Sequence, residues 1–204
     1  MSCPASFPAN PSRIILTGFM GAGKTTVGAL LAERLGWDFV DSDLLVEART
    51  GVTVAEIFEK RGEAAFREVE AAAIRDAASG DRLVAALGGG ALEIASTRDL
   101  VAGLPDALVI FLDAPLETLL ARCAGHAGGP VRPVLADRAR LAARWNARLP
   151  WYRRAHLTVD TAELSPEAVA GYILQRLEPG IEGGGPTTNG QFPDRARSKP
   201  GVPA

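Results

Sequence analysis

The chain has few of the residues that mark secreted, metal-clustered or membrane-embedded proteins. Its 204 residues include two cysteines, Cys3 and Cys123. One falls in a proline-bearing N-terminal stretch and the other in a helical pattern, which excludes a disulfide framework, makes a thiolate metal set untenable and fits a reducing compartment. Histidine is as scarce. Of the two, His126 stands among glycines with no ligand partner near it and reads as a solvated loop residue. No apolar run approaches the roughly 18 residues that a spanning helix requires, and the N-terminus lacks a charged segment leading into an apolar one. A soluble cytoplasmic protein without a membrane partner is expected. An excess of charge is missing too: 22 Lys and Arg against 24 Asp and Glu leave a net charge of −2, too weak a field to recruit nucleic acid. Any cationic site must be local. No internal repeat is present.

What is abundant is glycine, and its placement carries the first chemical signal. The stretch Gly18-Phe19-Met20-Gly21-Ala22-Gly23-Lys24-Thr25 fits G-x-x-x-x-G-K-[ST] at every fixed position. With glycine at about 7% of residues, such a match arises by chance on the order of once in a hundred chains of this size. Arg13 to Thr17 before it is a short apolar, β-branched run, and Lys24 to Leu35 after it has apolar residues at helical spacing, so the order is strand, glycine loop, helix. That order points backbone N–H groups inward at a helix N-terminus, where they cradle phosphate. In such a loop Lys24 reaches the β- and γ-phosphates and the Thr25 hydroxyl ligates Mg²⁺.

The rest of the chain, 47% hydrophobic and 23% charged, suits one globular domain. Residues 1–11 hold three prolines and read as a disordered lead-in. Gly36 marks a helix end, and Phe39-Val40 is the heart of a second strand ending at Asp41-Ser42-Asp43. Carboxylates at a strand's carboxyl end suit metal positioning and substrate contact, while a helix N-cap is the plainer reading of either aspartate. Two helices follow, Val54 to Lys60 and Glu63 to Ala78. Within the second, the i, i+3 spacing of Arg67 and Glu70 reads as an exposed structural ion pair. Arg82 to Leu87 is a third strand running into Gly88-Gly89-Gly90, a segment that suits close approach of a ligand or a sharp turn. Ser96 to Ala102 reads as a short helix. Leu108 to Leu112 is a fourth strand, and Pro115 opens a helix carrying Arg122.

Residues from about 125 to 136 are too glycine-rich for a regular element and read as a mobile lid presenting Arg132. Asp137 to Ala155 is a helix with six arginines along it, most of them on a solvated face. Leu157 to Asp160 is a fifth strand, and Ser165-Pro166 begins a last helix ending near residue 178. Residues 179–204, rich in glycine and proline, read as a disordered tail. Five strands alternating with helices make an α/β fold, a parallel sheet with helices on both faces.

Over residues 12–178 the chain resembles the shikimate kinase family, small P-loop kinases of the nucleoside monophosphate kinase group. The likeness rests on Gly18 to Thr25 with Thr26-Val27-Gly28, on Asp41-Ser42-Asp43, on Gly62-Glu63 and Phe66-Arg67 with Glu70, on Leu87-Gly88-Gly89-Gly90, on Arg132-Pro133-Val134-Leu135 and on Arg148-x-Pro150-x-Tyr152. It implies a three-layer P-loop kinase fold that transfers the ATP γ-phosphoryl group to the 3-hydroxyl of shikimate. Matching residues imply ATP binding by Gly21, Ala22, Gly23, Lys24, Thr25, Thr26, Arg122 and Arg132, and Mg²⁺ held by Thr25 and Asp41. They also imply acceptor binding by Asp43, Arg67, Gly88, Gly89, Gly90 and Arg148, with Lys24, Asp43 and Arg132 catalytic. Arg67 then belongs to the site, against its plainer reading as a surface pair. Monomeric state is expected. Glu163-Leu164 stands where the family often has a basic residue beside adenine, and the lid exceeds the family's shorter forms. A gluconate kinase of the same architecture would lack the two acceptor arginines, and a non-catalytic regulatory module would have lost Lys24, Asp43 or Arg132.

Overall fold

A computed structural model describes residues 7–104, 106–125 and 137–177. The elements run β1 (Arg13–Thr17), α1 (Lys24–Leu35), β2 (Asp38–Asp41), α2 (Ser42–Thr50), α3 (Val54–Ala77), β3 (Leu83–Ala86), α4 (Ala95–Gly103), β4 (Ala107–Asp113), α5 (Leu116–Gly125), α6 (Arg138–Tyr152), β5 (Leu157–Asp160) and α7 (Pro166–Leu177). The five strands form one parallel sheet in the order β2-β3-β1-β4-β5, flanked by helices on both faces.

The central strands are apolar on both sides, as a sheet covered twice requires. Ile14, Ile15 and Leu16 of β1 and Leu108, Ile110, Phe111 and Leu112 of β4 are fully buried. Each such side chain contributes about 1.5–3 kcal/mol relative to exposure, which makes β1 and β4 the sheet's anchor. At its amino end, Arg13 is buried as well; its guanidinium donates to the Ala78 carbonyl at 3.0 Å and pairs with Asp81 at 2.7 Å. A second apolar cluster of Val46, Ile57, Phe66 and Ala73 holds α2 against α3.

Two local devices depart from simple patterns. The helices expected on either side of residues 61–62 are continuous as α3 except at Gly62, whose φ of 78° and ψ of 175° break the helical path. A Cβ would strain that conformation. The first half is fixed by a capping box between Thr53 and Glu56. On β4, the Val109 N–H donates to His156 Nδ1 at 2.9 Å, and the His156 N–H returns a bond to the Val109 carbonyl at 2.9 Å. The ring nitrogen extends the β4–β5 ladder, whose register begins at Ile110 opposite Leu157. Burial holds the His156 pKa below its ordinary value, which suits a neutral ring accepting at Nδ1.

Candidate active site

The phosphate-loop sequence joins β1 to α1 at the sheet's carboxyl edge. Helix α1 starts from Gly23, whose φ of 85° is left-handed, and no side chain caps it. The first-turn N–H groups therefore face outward for an anion. Lys24 Nζ donates to the Phe19 carbonyl at 3.0 Å. Burial pushes its pKa down to about 8, against the opposing pull of Asp43 and Asp41.

Asp41 caps α2, its plainer reading, and also meets Thr25. One carboxylate oxygen accepts from the Asp43 N–H at 3.0 Å and caps α2, while the other accepts from the Thr25 hydroxyl at 2.7 Å. Asp43 is not a cap; it lies in the first turn of α2, since β2 ends at Asp41 rather than running on to residue 43. Hydroxyl and carboxylate are hard oxygen donors that fit Mg²⁺. Among the described residues no group of three or more His, Cys, Asp or Glu is placed to hold a metal ion.

The triple glycine brings the other expected residues together. A Cβ on Gly90 would overlap Arg67 Nη2 and lie 2.9 Å from Arg148 Nη2; one on Gly88 would overlap Glu70 Oε1 and lie 2.8 Å from Asp43 Oδ1. One on Gly89 would lie 3.5 Å from Arg148 Nη1 and 3.6 Å from the Gly18 carbonyl of the phosphate loop. None of the three has a positive φ. Gly88 and Gly90 leave space for these side chains, whereas a Cβ on Gly89 would make only ordinary contacts; Gly89 and Gly90 also form a turn, closed by the Ala91 N–H donating to the Gly88 carbonyl at 3.0 Å.

Two buried guanidinium groups so close together need counter-charge. Arg67 donates from Nη1 to Glu70 at 2.6 Å and from Nη2 to Glu63 at 3.1 Å. Glu70 is fully buried and Arg67 is 8% exposed, which corrects the expectation of an exposed pair. The pair is sealed because Glu70 also accepts from Ser42 Oγ at 3.1 Å, and Ser42 Oγ accepts from the Gly88 N–H at 2.7 Å. Burial pushes the Glu70 pKa up against the pull of Arg67. Burial alone would lower Arg67, but Glu70 and Glu63 outweigh it and keep the guanidinium charged.

Arg148 lies on α6 among arginines read mostly as solvated, yet it is buried; Nη2 donates to Glu93 at 2.9 Å, and the group sits 5.5 Å from the Phe19 ring centroid. The Nε atoms of both Arg67 and Arg148 are buried with no hydrogen-bond partner. Unsatisfied charged donors of this kind point to an anionic ligand. Tyr152, one helical turn on, donates its phenol to the Gly89 carbonyl and stacks on Phe111 at 5.1 Å.

Arg122 of α5 donates to Thr161 Oγ1 at 3.0 Å and to the Thr161 and Ala162 carbonyls, fastening the loop after β5. Thr26 is exposed in the first turn of α1. Gly125, the expected start of the lid, is instead the last residue of α5, while residues 126–136 with Arg132 fall outside the described residues, as do residues 1–6, 105 and 178–204. The sequence reading gave no role to Ser42, Glu93 or His156. Glu93 had a signal available, standing three residues beyond the triple glycine.

Comparison with known proteins places these features in a family context. The shikimate kinase family model matches residues 20–178. A shikimate kinase of Symbiobacterium thermophilum is 45% identical over 169 residues, covering 81% of this chain and 95% of its own, and one of Psychrobacter arcticus is 41% identical over 165 residues, covering 80% and 88%. The structure of a shikimate kinase from Acinetobacter baumannii in complex with shikimate superposes with a TM-score of 0.75 at 39% identity, covering 84% of this chain and 94% of that one.

Proposed function

The chain belongs to the shikimate kinase family, and from that premise we propose how its residues divide the work of an ATP-dependent phosphoryl transfer to shikimate. It is a shikimate kinase by activity. The observation that carries the assignment of the acceptor side is the convergence of Arg67 and Arg148 on Gly90, each with an unsatisfied buried Nε, beside Asp43 and the phosphate loop.

The acceptor is a hydroxylated ring with one carboxylate. Arg67 and Arg148 bind the carboxylate, since planar guanidinium donors meet both of its oxygens. Gly88, Gly89 and Gly90 let the ring lie against the main chain. Asp43, beside Gly88, orients the 3-hydroxyl and accepts its proton as oxygen attacks the γ-phosphorus. Phosphoryl transfer asks for positioning and charge neutralisation more than for covalent work. On the nucleotide side, Gly21, Gly23, Thr25 and Thr26 offer N–H groups to the phosphates, Ala22 shapes the loop with its N–H on the Phe19 carbonyl at 3.3 Å, and Lys24 leaves that carbonyl to meet them. Arg122 and the loop it fastens border the adenine. Thr25 and Asp41 hold Mg²⁺, which when bound neutralises charge on the phosphates. Arg132 adds a further cation from the lid segment, a role that rests on sequence.

Residues 12–178 form the catalytic unit, with residues 1–11 and 179–204 outside it. Among the described residues no helix is long and apolar enough to cross a membrane. We propose a cytoplasmic monomer without nucleic-acid partners. The test is ADP release measured with shikimate, quinate and gluconate as separate acceptors. Turnover with shikimate well above the other two is expected; preference for gluconate would overturn the acceptor assignment.

A further inference from the structure

The two acceptor arginines are neutralised differently. The main partner of Arg67, Glu70, is fully buried and locked by Ser42, whereas the partner of Arg148, Glu93, has a side chain 33% exposed beside an arginine side chain only 8% exposed. Arg148 is held in place and Glu93 has room to leave. The bond is made to Arg148 Nη2, which shares the side edge of the guanidinium with Nε, and Nε has no partner. A carboxylate binding that edge through both oxygens requires Nη2 as well as Nε. Glu93 therefore occupies half of a bidentate site.

The backbone around Glu93 is fixed, so its side chain has a place to return to. Arg98 Nη1 donates to the Leu92 and Glu93 carbonyls at 2.9 and 2.7 Å, and the Arg98 guanidinium stacks 3.8 Å above the Trp151 ring of α6. The Glu93 N–H is held by the Gly90 carbonyl at 3.0 Å. Glu93 is thus tied to the same strand end that carries the acceptor site.

We propose that Glu93 sets the acceptor affinity of the site: it is a displaceable internal carboxylate that competes with the acceptor's carboxylate for Arg148. In the empty site it keeps the buried guanidinium from standing uncompensated. On binding it must yield Nη2, and its nearby negative charge sets the affinity of the site for anions. This inference rests on the assignment of Arg148 to the acceptor carboxylate.

Glu93→Gln removes the charge while keeping size and an acceptor oxygen. Its KM for shikimate, and its Kd for shikimate by calorimetry without nucleotide, should fall about three- to tenfold, the gain expected from removing one like charge near a half-buried site. The change should appear in the shikimate terms and not in the KM for MgATP. Ligand-free Glu93→Gln should melt lower than the parent and regain the difference with saturating shikimate; Glu93→Ala should show the same tighter binding. Unchanged or weaker shikimate binding in both variants, with normal shikimate turnover by the parent, would overturn the competition alone. A parent that turns over gluconate in place of shikimate would overturn the acceptor assignment and this inference with it.

Discussion

Nucleotide binding should draw a proton from solvent, and Lys24 is the reason. Burial in the phosphate loop lowers its pKa to about 8, whereas a lysine against a bound triphosphate is held in its charged form. The sign follows from which state binds the proton more tightly: the complex does, so binding takes protons up and weakens as pH rises through the free enzyme's pKa. With a free value near 8, about one lysine in ten is neutral near pH 7, about half near pH 8 and about nine in ten near pH 9. Proton uptake per nucleotide should rise through the same fractions. The apparent Kd for MgATP should weaken about twofold near pH 8 and about tenfold near pH 9 relative to the low-pH limit in which Lys24 is fully charged. Calorimetry in two buffers of different ionisation enthalpy reads the uptake directly. A Lys24→Met control subtracts contributions from the α-amino group, which titrates in the same range. Equal heats in the two buffers near pH 8.5, or a Kd that stays flat from about pH 7 to 9, would refute a desolvated, perturbed Lys24.

Other substitutions separate the remaining roles. Asp43→Asn should lower kcat by about 10²- to 10⁴-fold while leaving shikimate binding within a few-fold, as loss of a general base does; rapid-quench single turnovers showing a normal chemical step would exclude that role. Gly90→Ala should destabilise by about 1–3 kcal/mol through overpacking and raise the shikimate KM, because a Cβ there overlaps Arg67 while the backbone φ of −104° is tolerable for alanine; unchanged melting and KM would show that the arginines can give way. His156→Phe leaves the Val109 N–H without its acceptor and should cost about 1–2 kcal/mol by urea titration. Since burial depresses the His156 pKa below its unfolded value, this residue's contribution is present above the ordinary histidine range and is lost as pH falls through it. The phenylalanine variant should lack that acid-side slope.

The alternation of strands and helices is legible in the sequence because both faces of the sheet are covered, so each strand announces itself as a short apolar run and each helix as a periodic one. The phosphate loop is legible because a fixed backbone shape demands fixed residues. Burial of charge is not legible in the same way. The spacing of Arg67 and Glu70 gives the pair but not its seal, which comes from Ser42 on α2 and Gly88 beyond β3. Along α6, Arg148 is one of several arginines at helical spacing, and only its contact with the strand end distinguishes it. That information enters from the family's motif or from three dimensions. His156 is invisible for a related reason: a side chain that substitutes for backbone in a ladder leaves no periodic trace.

The triple glycine explains why the acceptor site cannot be separated from the phosphate site. Gly88 offers its N–H to Ser42, Gly89 gives its carbonyl to Tyr152, and Gly90 leaves space for both guanidinium groups, all within three residues that also border the phosphate loop. Arg148 is near enough to Lys24 to help depress its pKa. The cations that meet the acceptor and the cation that meets the nucleotide therefore repel one another in the empty protein. Each bound anion relieves part of that repulsion for the other. The expected coupling has one sign: where shikimate screens Arg148 beyond what Glu93 already does, the Lys24 pKa should rise and MgATP binding through Lys24 should not weaken. Titrating proton uptake with and without saturating shikimate measures this shift. Uptake near pH 8 should fall when shikimate is already bound, because Lys24 is then already more fully charged. An increase in uptake would mean that the acceptor's burial of Lys24 outweighs its screening of Arg148, and that the two halves of the site oppose each other.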